Sequence, residues 1–85
     1  MDIRDFAVAV ETYGKALGGS VTSWGRTEVH NRAVGGVPNS LHVRWLAVDV
    51  VYDAPPELDV ASDLASSLGL RLVRESDHDH LQANT

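Results

Sequence analysis

The chain has 85 residues, a net charge of −5 and no cysteine. The lack of cysteine excludes disulfides, thiolate zinc sites and thiol catalysis, so a bound transition metal needs His, Asp or Glu ligands. The seven Lys and Arg residues are scattered, which argues against nucleic-acid binding. No apolar stretch approaches the roughly 18 residues of a membrane span, and no secretion signal is evident at the N-terminus. We therefore expect one cytoplasmically made domain, residues 1–85, with no membrane partner.

The first predicted element is an amphipathic helix over residues 2–18. Its apolar residues recur at helical spacing: Ile3, Phe6, Ala7, Val10 and Leu17. Asp2 is the expected N-cap, and Gly18 and Gly19 end the helix. A short strand at 20–24 and a long loop follow, and loops of that length inside a small domain are usually functional. Trp24 is expected in the core.

The second half of the chain alternates strands with one helix. "WLAVDVVY" at 45–52 predicts a strand with Asp49 on one face and Val48 on the other. The segment 53–70 predicts a helix that begins near Pro55 and Pro56 and stops at Gly69. "LRLVRE" and "HDHLQ" predict two short strands, as a hairpin or as one interrupted strand. This order predicts a small α+β fold, with two helices packed on one side of an antiparallel sheet.

His78 and His80 are two residues apart, so on a strand both imidazoles point to the same face. Such a pair is either solvent-exposed at a strand end or part of one site. His42 and Asp49 are seven residues apart, an odd step that places them on opposite faces of one strand. They converge only if the chain bends, with His42 on a loop and Asp49 inside the strand.

Asp49 lies in an otherwise apolar run. A buried carboxylate needs a partner, because burying it alone costs several kcal/mol. That partner is either a metal or a basic side chain such as Arg26 or Arg44. If His42, Asp49 and one late histidine converge, they supply the three protein ligands of a catalytic zinc site, whose fourth position is left to water.

"NRAVGGVPNSLHVRWLAVDV" resembles the core of the M15-type zinc D-Ala-D-Ala carboxypeptidases and phage L-Ala-D-Glu endopeptidases. Their signature, S-x-H-x-x-G-x-A-x-D, is matched by Ser40, His42, Ala47 and Asp49. "ESDHDHLQ" at 75–82 resembles the second signature of that family, a late acidic or histidine-rich stretch. "SWGRT" resembles its S-x-x-R-[ST] stretch, whose arginine corresponds to Arg26. The resemblance spans about residues 20–82.

The resemblance implies a zinc peptidase that hydrolyses a bond in bacterial cell-wall stem peptides, with the zinc site at the sheet edge. The implied Zn²⁺ ligands are His42, Asp49 and a late histidine, for which His80 is preferred over His78. The implied base is one of three side chains, and Arg26 assists the transition state. The three candidates for the base are Glu75, Asp77 and His78.

One motif position departs from the family pattern, because Trp45 replaces the glycine. Either the loop bends differently there, or the Trp45 ring forms a wall of the substrate cleft. An alternative hypothesis is a catalytically silent relative that binds zinc and only recognises peptide or cell wall. A third is a metal-free interaction domain with Asp49 in a salt bridge. A wall peptidase without a signal peptide would act after release, in phage lysis or as a tail-associated protein.

Overall fold

The computed structural model describes residues 1–25 and 45–84, so most of the predicted loop lies outside the described residues. The described part contains two helices and four strands. In chain order they are α1 (Ile3–Leu17), β1 (Gly19–Trp24), β2 (Ala47–Tyr52), α2 (Leu58–Ser67), β3 (Leu70–Arg74) and β4 (Asp79–Ala83). Among these residues no helix is long and apolar enough to cross a membrane.

Helix α1 confirms the prediction made from its apolar spacing. The Asp2 side chain caps it by accepting a hydrogen bond from the Asp5 amide at 2.8 Å. Gly18 ends it in the left-handed conformation, with φ of 67°, which glycine adopts without a Cβ penalty. Its buried face consists of Phe6, Ala9, Val10 and Tyr13.

Two predicted boundaries shift in the structure. Strand β2 begins at Ala47 rather than at 45, because Trp45 has a left-handed φ of 62° that cannot continue a strand. Helix α2 begins at Leu58, and the extended Glu57 is its N-cap. The two prolines therefore lie before the helix and not in its first turn.

The four described strands form one antiparallel sheet in the order β1-β2-β4-β3. The pairing of β3 with β4 decides between the two sequence alternatives in favour of a hairpin. Strands β2 and β4 occupy the centre of the sheet, so side chains on them are flanked by neighbouring strands on both sides.

Both helices contribute to one hydrophobic core on one face of the sheet, which we call the core face. Phe6 and Tyr13 of α1 are fully buried against it, as are Val48 and Leu81 of the central strands. Each such side chain stabilises the fold by about 1.5–3 kcal/mol. Trp24 packs against this core, with its ring 5.6 Å from that of Phe6 in an edge-to-face contact, which confirms its predicted core position.

Candidate metal centre on the histidine face

The opposite face of the sheet, which we call the histidine face, carries Asp49 and His80 as direct partners on β2 and β4. Val48 and Val50, on either side of Asp49, are both buried in the core. Alternation along the strand therefore turns Asp49 away from the helices. The Nδ1 atom of His80 lies 3.7 Å from Oδ1 of Asp49.

His78 reaches the same carboxylate from the turn that precedes β4. It stands two residues before His80, and its Nε2 atom also lies 3.7 Å from Oδ1 of Asp49. The structure therefore brings both late histidines to Asp49. Because the two distances are equal, distance alone does not choose between His78 and His80.

The remaining nitrogen of each imidazole is held by a neighbouring acceptor. Nδ1 of His78 lies 2.7 Å from Oδ1 of Asp77, and Nε2 of His80 lies 2.8 Å from Oε1 of Gln82. Metal-binding histidines usually have their second nitrogen held in this way. In each ring, then, one nitrogen is fixed by hydrogen bonding and the other is directed toward Asp49.

The Asp77 carboxylate controls the protonation of His78. Its hydrogen bond raises the pKa of His78, burial opposes that rise, and the negative charge of Asp49 adds to it. The same hydrogen bond lowers the pKa of Asp77. His78 is thus a side chain that gains a proton readily, held by a carboxylate that is 85% exposed.

Glu75, another candidate base, lies in the turn between β3 and β4. Its backbone N–H donates to the carbonyl of His78 at 2.9 Å and closes that turn. A cleft of about 140 Å³ opens beside the turn and is lined by Tyr52, Pro55 and residues 74–79. Glu75, Asp77 and His78 all line this one cleft.

The predicted ligand His42 and the predicted helper Arg26 lie outside the described residues, as does Ser40. Within residues 1–25 and 45–84, no group of three His, Cys, Asp or Glu side chains is arranged to hold a metal ion. Asp49 and His80 nevertheless supply a carboxylate oxygen and an imidazole nitrogen, which are donors that zinc accepts. Tetrahedral zinc places its ligand atoms about 3.4 Å apart, close to the 3.7 Å observed.

The structure places two of the implied ligands within the sheet. Asp49 and His80 lie on the two central strands, and the zinc site at the sheet edge, which the resemblance implies, stays a prediction. Central strands are held by hydrogen bonds on both sides, so the two side chains project from the most constrained part of the sheet.

Trp45 keeps the backbone conformation that a glycine would adopt, with φ of 62°. Its carbonyl accepts a hydrogen bond from the indole of Trp24 at 3.1 Å. Its ring covers Gly25 so closely that a Cβ atom there would lie 2.4 Å from it. The chain therefore bends at the motif position as it would with glycine, and the Trp45 side chain remains 47% exposed.

A polar network on the core face was not foreseen from the sequence. Asp79 is 1% exposed and binds Arg74 through two hydrogen bonds of 2.8 Å. Tyr52 donates its only hydroxyl hydrogen to Asp79 at 2.8 Å, so Tyr13 must be the donor in its 2.5 Å contact with Tyr52. Burial alone would raise the pKa of Asp79, but the hydrogen bonds from Arg74 and Tyr52 outweigh burial and lower it.

Strand parity could have revealed this network. If His78 and His80 share one face, Asp79 between them must point to the other face, which is the core. A carboxylate in a core needs a cationic or hydrogen-bonding partner, and Arg74 on the preceding strand is directly opposite Asp79.

Comparison with known proteins gives one result that bears on this site. No curated protein and no solved structure matches the chain. Among protein-family models, the one described as Peptidase M15 matches residues 3–82. That range includes Asp49, the late histidines and the whole of both helices. The chain therefore belongs to the peptidase M15 family.

Proposed function

We propose that this protein is a zinc-dependent peptidase that hydrolyses a peptide bond in bacterial cell-wall stem peptides. The observation that carries the proposal is the meeting of His78 and His80 at the Asp49 carboxylate, each 3.7 Å from the same oxygen. It is supported by the family, which is one of peptidases. The two candidate bonds are that of a D-Ala-D-Ala carboxypeptidase and that of an L-Ala-D-Glu endopeptidase.

The proposed zinc ligands are Asp49, His80 and His42 of the segment outside the described residues. When bound, zinc supplies a Lewis acid that polarises the scissile carbonyl and activates a water. Asp49 and His80 are suited to hold it because they project from the central strands, and the His80 ring is fixed by Gln82. A rigid pair of this kind needs little rearrangement to bind a cation.

His78 is our preferred proton carrier. With Nδ1 held by Asp77 at 2.7 Å, its Nε2 atom is the nitrogen directed at the reaction centre beside Asp49. It accepts a proton from the attacking water and passes it to the leaving amine, while Asp77 orients the ring and stabilises the imidazolium. Glu75 and Asp77 remain the alternative bases, and Arg26 is proposed to stabilise negative charge that develops on the substrate.

The cleft beside the β3–β4 turn is the proposed place for part of the substrate, since it is lined by His78 and by both alternative bases. We treat residues 1–85 as one peptidase domain. It would reach the wall after release from the cell interior, as enzymes of phage lysis or phage tails do.

The test is hydrolysis of purified peptidoglycan by the zinc-loaded protein, followed as newly formed amino groups and as released D-Ala. We expect activity in the wild type and a loss of about 100-fold or more in His78→Ala, which is the range for removing an acid–base catalyst. Ser66→Ala, at an exposed position of α2 away from this cleft, is the control and should retain activity. Zinc binding without hydrolysis of any wall peptide would contradict the peptidase proposal.

A second candidate is a catalytically silent relative whose zinc is structural and whose cleft only binds peptide. It is favoured by the equal approach of His78 and His80 to Asp49, because a fourth protein ligand would close the zinc sphere. X-ray absorption at the zinc edge distinguishes the candidates. If His78→Ala lowers the number of nitrogen neighbours of zinc, the silent relative is favoured; an unchanged number favours the peptidase.

A further inference from the structure

Gln82 holds the His80 ring on the side away from Asp49. Its Oε1 atom lies 2.8 Å from Nε2 of His80, whereas Nδ1 of the same ring lies 3.7 Å from Oδ1 of Asp49. We propose that Gln82 is a positioning residue, which fixes the tautomer of His80 so that Nδ1 binds the metal. This inference rests on the proposed function, because it assigns a role toward the same zinc.

The argument follows from the donor and acceptor inventory of the two side chains. The amide oxygen of Gln82 only accepts, so the hydrogen of this bond must be on Nε2 of His80. A neutral imidazole carries a single N–H, so Nδ1 is then the nitrogen that carries the lone pair. Nδ1 is the nitrogen beside Asp49, so the tautomer selected by Gln82 is the one that can donate to a cation there.

The backbone keeps this pair together. Gln82 follows His80 by two residues on β4, so both side chains leave the strand on the histidine face. The residue opposite Gln82 on β2 is Ala47, whose small side chain leaves room for the amide to turn back toward His80. The matching acceptor for His78 is Asp77, which holds the other ring nitrogen, Nδ1. The two rings therefore present different nitrogens to the Asp49 carboxylate: Nε2 in His78 and Nδ1 in His80.

The first test is zinc affinity, measured by competition with a chromogenic chelator. Gln82→Ala should weaken zinc binding by about 10- to 100-fold, the usual effect of losing such an outer partner. Gln82→Glu keeps an acceptor oxygen and should bind zinc nearly as tightly as the wild type. Arg71→Ala, opposite Gln82 on β3 and exposed, is the matched control and should leave the affinity unchanged.

The second test reads the tautomer without metal, by ¹⁵N NMR of the zinc-free protein at a pH where the imidazole is neutral. The wild type should show the His80 proton on Nε2 with slow exchange into water, and Gln82→Ala should exchange it fast. A proton on Nδ1 in the wild type would overturn the inference. Equal zinc affinity of Gln82→Ala and wild type overturns the inference alone, whereas a wild type that binds no zinc overturns the proposed function as well.

Discussion

The two faces of the sheet use similar polar side chains in different ways. On the core face, Asp79 is fully buried and is bonded to Arg74 and Tyr52 at 2.8 Å. On the histidine face, the imidazoles of His78 and His80 approach Asp49 only to 3.7 Å, which exceeds a hydrogen bond. The Asp49 side chain is 27% exposed.

This difference distinguishes the structural carboxylate of Asp79 from the carboxylate of Asp49, which we propose as a zinc ligand. The close contacts of Asp79 satisfy a charge that is shut off from water, so this network fixes β3 and β4 against α1. The 3.7 Å distances from Asp49 to the two imidazoles are close to those between ligand atoms that share one zinc ion. Adjacent residues of β4 therefore have different roles on opposite faces of the sheet: Asp79 stabilises the fold, and His80 faces the candidate site.

The largest expected effect is on the core face. Asp79→Ala leaves the Arg74 guanidinium, 28% exposed, without its carboxylate, and should lower the free energy of unfolding by about 3 kcal/mol. Urea denaturation monitored by circular dichroism measures this. Asp77→Ala is the control at an exposed position, with an expected change within about 0.5 kcal/mol. Equal stability of the two variants would contradict the structural role of Asp79.

On the histidine face we expect a large effect on zinc binding and a small effect on stability. Asp49→Ala should weaken zinc binding by more than the 10- to 100-fold typical of outer partners, because it removes a proposed ligand. The zinc-free variant should stay within about 1 kcal/mol of wild type, since Asp49 is half-buried and outside the core. Isothermal titration with zinc and urea denaturation check the two halves. If Asp49→Ala lost stability but kept its zinc affinity, the proposed role of Asp49 as a zinc ligand would be contradicted.

Low pH should destabilise the fold by protonating Asp79 on the core face. Its pKa is lower in the folded chain than the value of about 3.9 for an unfolded aspartate. The stability it contributes is therefore complete above about pH 4 and is lost as the pH falls through the folded pKa. Urea midpoints of wild type and Asp79→Asn should converge on acidification in this range. A constant difference between them would show that this carboxylate does not titrate as described.

Trp45, just before β2, provides a smaller test. A left-handed conformation costs a side-chain-bearing residue about 1–2 kcal/mol relative to glycine. Trp45→Gly removes both this strain and the ring contact with Gly25, whereas Trp45→Ala removes only the ring. The glycine variant should therefore be more stable than the alanine variant by about 1 kcal/mol in urea denaturation. The opposite order would mean that the backbone at this position is not strained.

The smallest effect concerns His78. Asp77→Asn replaces the carboxylate whose hydrogen bond raises the pKa of this histidine with a neutral amide, so the pKa should fall. NMR titration of the imidazole protons measures the shift. Ser76→Ala should leave the titration curve in place, and a curve equally unaffected by Asp77→Asn would remove Asp77 as the orienting group.

Much of the fold could be predicted because local signals agreed. Helix α1 has an apolar stripe, a capping aspartate and a terminal glycine, all of which act within a few residues. The hairpin of β3 and β4 was one of two alternatives, because a choice between pairing and continuation depends on contacts across the sheet. The start of β2 was missed, since a left-handed Trp45 contradicts the preference of that residue type.

The candidate site was also predictable only in part from the sequence. Strand alternation placed His78 and His80 on one face, and the structure has both at Asp49. Their partners were not foreseen, because the contacts of Asp77 and Gln82 depend on the rotamers of neighbouring rings. The predicted roles of His42 and Arg26 remain predictions, as both residues lie outside the described ranges.

The most direct test of the central claim is the thermal unfolding of the wild type with zinc and with a chelator. Zinc at 100 times its Kd stabilises a folded protein by about 2.7 kcal/mol, which for a domain of this size raises the Tm by about 10 °C or more. We predict that rise for the wild type and its absence in Asp49→Ala and His80→Ala. A wild-type Tm that is the same in zinc and in chelator would contradict the account.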